Sequence, residues 1–245
     1  MAKNDGPDVE FLRKRIGKVL KDKWTLTKLL GAGGMAAVYE AEHTIGRRDA
    51  IKILHPEVAA DDELVGRFER EAHAVNKVSH PATVEVRDVD KTDDGEPFLV
   101  MELVEGESLS RKFKRDGPMK LDEALKIADE LLDVLRVAHE AGVIHRDIKP
   151  SNLFVEDDGT LRVLDFGVAR VMRGGPGKVK TAAGTLLGTV TYMPPEQLRG
   201  DEVDARADLY AVGATLYRLV SGRKTHVAAG EQELAKAILL SLIHI

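Results

Sequence analysis

The chain contains no cysteine among its 245 residues. Disulfide bonds, thiol catalysis and cysteine-ligated metal sites are therefore excluded, and this composition suits a reducing compartment. An excess of basic residues is also lacking, because the formal net charge is −5. No global positive field favours a nucleic-acid partner, and none is predicted.

Long hydrophobic runs are also absent from the sequence. Residues 1–7 are polar and have no apolar core of the kind that marks a signal peptide. Residues 211–220 are apolar but fall far short of the roughly 20 residues that span a bilayer. We therefore predict no membrane segment in this chain and a cytoplasmic location. A membrane anchor beyond residue 245 is left open.

The composition that remains is that of an ordinary globular protein, with 43% hydrophobic and 31% charged residues. A chain of this length forms one large domain or two small lobes. Apolar periodicity predicts strands at residues 36–42, 49–54, 84–89 and 97–103, with one helix at residues 62–78. After Gly106 the pattern becomes helical, so the fold class is α+β with a hinge near residues 103–106.

Two long helices are predicted in the second half of the chain. The first covers residues 121–141 and ends at Gly142. Its predicted apolar face consists of Leu125, Ala128, Leu132, Leu135 and His139. The second covers residues 204–220, and its predicted apolar face includes Leu209, Val212, Leu216 and Leu219.

Residues 145–152 read His-Arg-Asp-Ile-Lys-Pro-Ser-Asn, and Asp165-Phe166-Gly167 follows. Asp147 is suited to accept a proton from an attacking hydroxyl. Asn152 and Asp165 supply hard oxygen ligands of the type that Mg²⁺ selects. Lys149 is placed to neutralise charge on a moving phosphoryl group. These residue types together indicate phosphoryl transfer.

The two motifs resemble those of the protein kinases. The lysine-proline pair after Asp147 is typical of the Ser/Thr branch, and the Gly-Gly-Met sequence at residues 33–35 resembles bacterial eukaryote-like (Hanks-type) kinases. The resemblance covers about residues 24–240.

This resemblance implies a two-lobed fold, with a small antiparallel-sheet N-lobe and a mostly helical C-lobe. Residues 1–23 would be a lead segment and residues 24–245 the kinase domain, with the N-lobe at about 24–103 and the C-lobe at about 106–245. We expect the C-lobe to be incomplete, because kinase domains normally continue with helices that carry an arginine partner for Glu196.

A glycine-rich stretch at residues 31–38 lies between two predicted strands. Glycine lets the backbone approach phosphates closely with its N–H groups directed at the anion. The stretch departs from the kinase pattern because Ala36 replaces the third glycine. A simple hairpin with glycines at its turn is the alternative interpretation.

By resemblance, Met101 would be the gatekeeper behind the adenine, and backbone groups of Glu102 and Val104 would bond the adenine edge. Leu30, Val38, Ala50 and Phe154 would enclose the ring. The full set of residues implied to contact ATP is Leu30, Gly31, Ala32, Gly33, Gly34, Met35, Ala36, Ala37, Val38, Ala50, Lys52, Glu71, Met101, Glu102, Val104 and Phe154. Ordinary core packing is the alternative for the hinge residues.

Lys52 matches the lysine of the Val-Ala-Ile-Lys strand, and an exposed, solvated lysine is the alternative. The following helix offers Glu69 and Glu71 as partners. Glu71 shares the inward face of Phe68 and Val75, whereas Glu69 is about 100° away from Phe68. An unpaired carboxylate on that face is unfavourable, so we predict a Lys52–Glu71 ion pair.

Further residues have supporting roles by resemblance. Arg146 would pair with a phosphate on the activation loop, where Thr181 and Thr185 are the candidates. Thr189 would contact the catalytic aspartate and lysine, and Glu196 stands in Pro-Pro-Glu in place of Ala-Pro-Glu. Asp208 resembles the buried helix aspartate that holds the catalytic loop.

The implied activity is ATP-dependent phosphorylation of serine and threonine hydroxyls on proteins, in signal transduction. Asp147, Lys149, Lys52 and Asn152 would be catalytic, and Asn152 and Asp165 would hold Mg²⁺, or alternatively Mn²⁺. Partners would be protein substrates and a second copy for trans-autophosphorylation. The alternatives are a catalytically impaired kinase-fold fragment or scaffold and, much less favoured, a small-molecule kinase, whose family lacks Asp-Phe-Gly.

Overall fold

The computed structural model describes residues 9–166, 190–228 and 230–241. Its described residues form two compact units. The first contains residues 9–76 and 84–104, and the second contains residues 77–83 and the described residues from 105 onward.

The first unit is built on a six-stranded antiparallel sheet. Its strands are β1 Val19–Leu20, β2 Trp24–Ala32, β3 Ala36–His43, β4 Arg48–Leu54, β5 Val86–Lys91 and β6 Pro97–Glu102. Their order in the sheet is β1-β2-β3-β4-β6-β5. Three helices accompany the strands: α1 Val9–Arg13, α2 Pro56–Ala59 and α3 Asp62–Val75.

One face of this sheet packs into a hydrophobic cluster. Successive strand residues point to opposite faces, so alternate positions of β3, β4 and β6 reach the same side. The buried members of the cluster are Leu12, Leu20, Trp24, Leu26, Ala37, Tyr39, Ala41, Ile51, Ile53, Phe98 and Val100. The sheet therefore packs one face into this cluster, and its opposite face carries a different set of side chains, among them Ala50, Lys52 and Leu99.

The segment before Trp24 packs against this sheet. Leu12 is 2% exposed and belongs to the cluster, and the Tyr39 hydroxyl donates to the Leu12 carbonyl at 3.0 Å. Arg15 forms a half-buried ion pair with Glu96 at 2.5 Å. Residues 9–23 are thus part of the first unit, whereas the predicted domain boundary at residue 24 stays a prediction.

The second unit is mainly helical. Its helices are α4 Leu109–Asp116, α5 Leu121–Glu140, α6 Pro195–Arg199, α7 Arg206–Ser221 and α8 Glu231–Ser241. A three-stranded antiparallel sheet joins β7 Glu107–Ser108, β8 Leu153–Val155 and β9 Leu161–Val163. The α+β fold class, with an antiparallel-sheet unit before a helical one, is confirmed. Among the described residues, no helix is both long enough and apolar enough to cross a membrane.

The predicted apolar face of α5 is wrong in part. Leu125 and Leu132 are 57% and 42% exposed. The buried face instead consists of Ala124, Ile127, Ala128, Leu131, Val134, Leu135 and Ala138. The apolar side chains cover about half of the circumference of α5, and Leu125 and Leu132 lie at one edge of that stripe, so periodicity alone does not show which part of it is buried. Packing against neighbouring elements decides it.

The predicted face of α7 contains a similar error. Leu209 is 51% exposed, whereas its neighbour Asp208 is fully buried. Consecutive helix residues lie about 100° apart, so a helix that buries Asp208 turns Leu209 toward solvent. Val212 and Leu219 are buried as predicted.

Gly106 adopts a backbone conformation with φ of +147°, which side chains rarely allow. A Cβ atom there would lie 2.3 Å from the Val155 carbonyl oxygen, closer than any real contact. We expect Gly106→Ala to lower the free energy of unfolding of the protein by about 2 kcal/mol or more.

Denaturant titration of both proteins measures this effect. The control is Gly213→Ala in α7, where a Cβ would meet nothing within 4 Å. That change is expected to stabilise the helix by about 0.5–1 kcal/mol. Equal stability of Gly106→Ala and the parent chain would contradict the expected clash.

Candidate active site

Four residues implied to bind ATP share one face of the first sheet. The strand register pairs Val38 with Lys52 and Ala50 with Met101. Directly opposed residues of antiparallel strands point to the same side, as do residues two apart on one strand. These four side chains therefore lie on the face opposite the hydrophobic cluster. Leu30 lies between Leu29 and Gly31, where the register of β2 against β3 shifts, so strand alternation does not fix the direction of its side chain.

The glycine-rich stretch forms the turn between β2 and β3. The Gly33 N–H donates to the Ala36 carbonyl at 2.9 Å. Neither Gly31 nor Gly33 has a positive φ, and a Cβ at Gly31 would meet none of the described residues within 4 Å. Packing against the described residues therefore does not require glycine at position 31. The absence of a side chain leaves space beside the backbone in which a phosphate can approach closely.

Lys52 is 8% exposed in the middle of β4, so the alternative of a solvated lysine is wrong. A buried ammonium group is strongly disfavoured unless it has polar partners, and Lys52 makes such an interaction within the structure. The predicted partner, the Glu71 side chain, lies outside the described residues, so the Lys52–Glu71 pair stays a prediction.

Asp147, Lys149 and Asn152 meet in the second unit. The Lys149 ammonium lies 2.8 Å from the Asp147 carboxylate oxygen Oδ2. The Asn152 amide nitrogen donates to the same Oδ2 and to the Asp147 backbone carbonyl, each at 2.9 Å. The aspartate is therefore fixed from two sides. The side-chain oxygen Oδ1 of Asn152 accepts a hydrogen bond from the Ser151 hydroxyl at 3.4 Å, and its second lone pair can act as a metal ligand.

His145 braces this loop from inside the protein. It is fully buried, and its Nδ1 accepts the Asp147 N–H at 3.2 Å. Its Nε2 lies 2.9 Å from the Leu164 carbonyl, which can only accept, so Nε2 carries the proton. The ring also contacts Phe166 with a centroid distance of 4.5 Å. Both nitrogens are occupied, which fits a bracing role and leaves none for acid–base chemistry.

Asp208 holds the backbone of the same loop. Its carboxylate accepts the N–H groups of His145 and Arg146 at 2.9 and 2.7 Å, and the His139 ring at 2.8 Å. Burial alone would raise the pKa of this carboxyl. The hydrogen bonds from His139 and from the two backbone N–H groups outweigh burial and lower the pKa below its ordinary value.

Arg146 lies in the left-handed region with φ of 66°. Its carbonyl accepts a hydrogen bond from the Gln197 amide at 2.9 Å. Gln197 is buried and follows Glu196, which lies in the first turn of α6 within the Pro-Pro-Glu segment. The loop conformation at Arg146 is therefore held by Asp208 on one side of the peptide and by Gln197 on the other.

Asp165 also has a left-handed backbone, with φ of 59°. It follows Leu164, whose N–H donates to the Asn152 carbonyl at 2.9 Å. That backbone bond ties the segment containing Asp165 to Asn152. Among the described residues, no group of three or more histidine, aspartate or glutamate side chains is placed to hold a metal ion. One amide oxygen and one carboxylate still fit Mg²⁺, which keeps water and phosphate ligands.

Several predicted residues lie outside the described part of the chain. They are Thr181, Thr185 and Thr189, together with Gly167 and the side chain of Glu71. The roles assigned to these residues stay predictions. Glu196 is half-buried in α6, and Phe154 is half-buried in β8.

The sequence patterns did not indicate three polar contacts, two of which support the catalytic loop. His139 was assigned to an apolar face but donates to Asp208, and Gln197 was not considered. Asp49, directly before Ala50, is fully buried and accepts from Arg47, Arg87 and Trp24. Burial opposes ionisation of Asp49, but these three donors lower its pKa below the ordinary value. The one signal of this buried contact in the sequence is Asp49 itself, a charged residue directly before the apolar part of a strand.

Comparisons with known proteins agree with this geometry. A family model described as protein kinase domain matches residues 24–245. The probable serine/threonine-protein kinase PknB of Lactococcus lactis is 38% identical over 211 residues, which are 85% of this chain and 33% of that protein. Serine/threonine-protein kinase PknA of Mycobacterium tuberculosis is 36% identical over 221 residues, which are 88% of this chain and 51% of that protein.

A solved structure is also similar. It is the kinase domain of PknI from Mycobacterium tuberculosis, in a cysteine-to-alanine variant, with a TM-score of 0.70 and 28% identity. The match covers 88% of this chain and 80% of that one. The chain spans between a third and a half of the length of the two curated relatives. Since the family model covers nearly the whole sequence, the chain belongs to the protein kinase family, as its motifs predicted.

Proposed function

We propose that this chain is the catalytic domain of a serine/threonine-protein kinase that transfers phosphate from ATP to protein hydroxyls. The observation that carries the proposal is the Asp147 carboxylate, held by Lys149 at 2.8 Å and by the Asn152 amide at 2.9 Å. A hydroxyl acceptor needs a fixed base, and the transferred group needs positive charge beside it. This cluster supplies both.

Each residue of the cluster has a distinct task in the proposal. Asp147 orients the substrate hydroxyl and takes its proton through a carboxylate oxygen. Lys149 stabilises negative charge on the group being transferred. Most of the rate enhancement comes from positioning and electrostatics, because phosphoryl transfer passes through a loose transition state.

Family membership implies ATP and a divalent metal ion. Bound ATP supplies the phosphoryl group, and the metal ion neutralises charge on its phosphates. We assign the metal, Mg²⁺ or alternatively Mn²⁺, to the side-chain oxygen Oδ1 of Asn152 and to the Asp165 carboxylate. These two oxygen ligands suit such a metal ion. The Asn152 amide nitrogen, which could not bind the metal, is turned toward Asp147 instead.

The nucleotide contacts of the first unit follow from its shared sheet face. We assign the adenine to Leu30, Val38, Ala50 and Met101, with backbone groups of Glu102 and Val104 at its edge. The glycine turn and Lys52 are assigned to the phosphates.

Regulation is proposed to involve a phosphorylated activation loop. Arg146 directly precedes Asp147, and we assign it as the partner of a phosphate on Thr181 or Thr185. Thr189 and Glu196 are assigned supporting roles. A second copy of the chain would phosphorylate the loop, with ATP as the phosphate donor, and a cytoplasmic location is proposed for these reactions.

The test is incubation of the protein with ATP and Mg²⁺, followed by mass spectrometry for phosphoserine and phosphothreonine. We expect Lys52→Met to lower incorporation by about 10²-fold or more, because one electrostatic contact to phosphate is lost. Methionine has a similar length and suits the buried position, so the fold should be retained, with a lower thermal midpoint because the predicted partner Glu71 loses its cation.

The control is Lys28→Met, because Lys28 is exposed on β2. It should retain full incorporation. Incorporation by Lys52→Met equal to that of the control would remove Lys52 from the proposed site. Absence of phosphoserine and phosphothreonine in the parent protein and in added protein substrates would contradict the kinase activity itself.

A further inference from the structure

His55 has no role in the function described so far. It lies three residues after Lys52 and directly after the end of β4, and it is 8% exposed. A buried histidine needs partners for its ring nitrogens. The structure shows which group the ring contacts.

Two groups of His55 hold the glycine-rich turn. Its backbone N–H donates to the Met35 carbonyl at 2.8 Å. Its ring Nε2 lies 2.8 Å from the Gly33 carbonyl oxygen. A carbonyl only accepts, so Nε2 carries the proton and donates. One residue therefore bonds two carbonyls of the turn between β2 and β3.

His55 is itself fixed from the other side. Its carbonyl accepts the N–H groups of Val58 and Ala59 at 3.0 and 2.9 Å, which starts helix α2. The following Pro56 favours extended backbone, and His55 has φ of −68° and ψ of 150°. Its side chain makes no helix-capping bond. The ring is thus directed by a rigid backbone toward the turn.

We propose that His55 is a positioning residue that sets the glycine-rich turn in its phosphate-binding conformation before the nucleotide arrives. The proposal rests on the proposed kinase function. Glycine-rich backbone has many accessible conformations, so ordering it on binding reduces affinity. A turn held in advance by two hydrogen bonds loses less freedom when it binds phosphate.

This role predicts an effect that is confined to ligands that carry phosphate. The turn is assigned to the phosphates, whereas the adenine is assigned to side chains of the strands and to residues 102 and 104. Removal of the ring contact should therefore weaken ATP binding and leave adenosine binding unchanged. A general loss of structure would weaken both.

The experiment measures the Kd of ATP with Mg²⁺, and of adenosine, by titration calorimetry. His55→Leu is expected to raise the Kd of ATP by about five- to tenfold, the loss of one hydrogen bond that organises the site. The Kd of adenosine should not change. His55→Gln should restore ATP affinity, because its amide nitrogen reaches as far as Nε2 and donates.

The matched control is Thr27→Val. Thr27 also donates from its side chain to a carbonyl of the same sheet, that of Glu40 at 3.1 Å, but away from the turn. The Thr27→Val protein should bind ATP and adenosine with the Kd values of the parent protein. If His55→Leu fails to fold, His55→Asn serves instead, because its shorter amide does not reach Gly33.

Three results would overturn the proposal. Unchanged ATP affinity in the leucine or asparagine variant would show that the contact does not order the turn. Equal weakening of ATP and adenosine would show a merely structural role. Binding of neither ligand by the parent protein would contradict the kinase function on which the proposal rests, and that result differs from the first two.

Discussion

Replacing Asp147 by asparagine is expected to reduce phosphoryl transfer by about 10³-fold while ATP affinity is kept. Asparagine matches the size of aspartate and can still accept the hydrogen bond from the Asn152 amide, which lies 2.9 Å from Oδ2. It cannot take a proton from a substrate hydroxyl. It also removes the negative partner of Lys149, 2.8 Å away. The loss should therefore fall on kcat rather than on nucleotide binding.

Steady-state kinetics with a protein substrate, together with ATP titration of each protein, measures this split. The matched control is Asp129→Asn, because Asp129 is exposed on α5. The control should retain the parent kcat. A kcat for Asp147→Asn close to that of the control would exclude Asp147 as the base. A parallel loss of ATP affinity would assign it to binding.

Replacing Asp208 by alanine is expected to lower the free energy of unfolding by about 3 kcal/mol or more. The fully buried carboxylate accepts from the His139 ring and from the N–H groups of His145 and Arg146. Its removal leaves three donors without an acceptor in a buried place. The variant should also lose activity, because the catalytic loop loses its anchor.

The pH dependence of stability distinguishes this anchor from ordinary packing. The pKa of Asp208 is lowered in the folded protein, chiefly by the His139 hydrogen bond acting against burial. Its contribution to stability is therefore complete above the unfolded value of about 3.9 and is lost as the pH falls through the lower folded value. The stability difference between the parent and Asp208→Asn should shrink below about pH 4.

Denaturant titrations at neutral pH and at two acidic pH values measure this difference. Asp201→Asn is a suitable control, because Asp201 is exposed after α6. Its stability should follow the parent at every pH. A difference between the parent and Asp208→Asn that stays constant down to pH values well below 4 would contradict ionic anchoring by Asp208.

The sequence predicted those parts of the fold in which local patterns dominate. Strand alternation and turn residues located four of the six strands of the first sheet, β3 to β6, and Gly142, with φ of 73°, follows the end of α5 as predicted. Element bounds differ by a few residues. Helix α3 was expected to reach residue 78 but ends at Val75. The short helix α2 was not predicted, because four residues contain no periodicity.

Tertiary packing determines which residues of a helix are buried where the sequence pattern does not. Leu131 is fully buried and Leu132 is exposed, yet the two residues have the same side chain. Their difference lies in the position of neighbouring elements, which apolar periodicity does not encode. Leu209 illustrates the same point, because a buried charge next to it set the rotation of α7.

The residues of the candidate site also divide into those that the sequence predicts and those that only the structure reveals. Motif residues such as Asp147 and Asn152 were identified because their types and spacing are specific. Gln197 and His55 were not, because each acts through a backbone carbonyl of a distant segment. A glutamine or histidine carries no motif of its own for such a contact. Only the folded chain brings it to that carbonyl.

The left-handed backbone at Arg146 and Asp165 limits how far the catalytic motif can be transplanted. Arginine rarely adopts this conformation, and aspartate adopts it more often but still in a minority of cases. The restraints at Arg146 come from Asp208 and Gln197, which are 62 and 51 residues away in sequence. An eight-residue graft onto another scaffold would carry the reactive groups but not their arrangement. Any working transplant must therefore bring counterparts of both distant residues along with the motif.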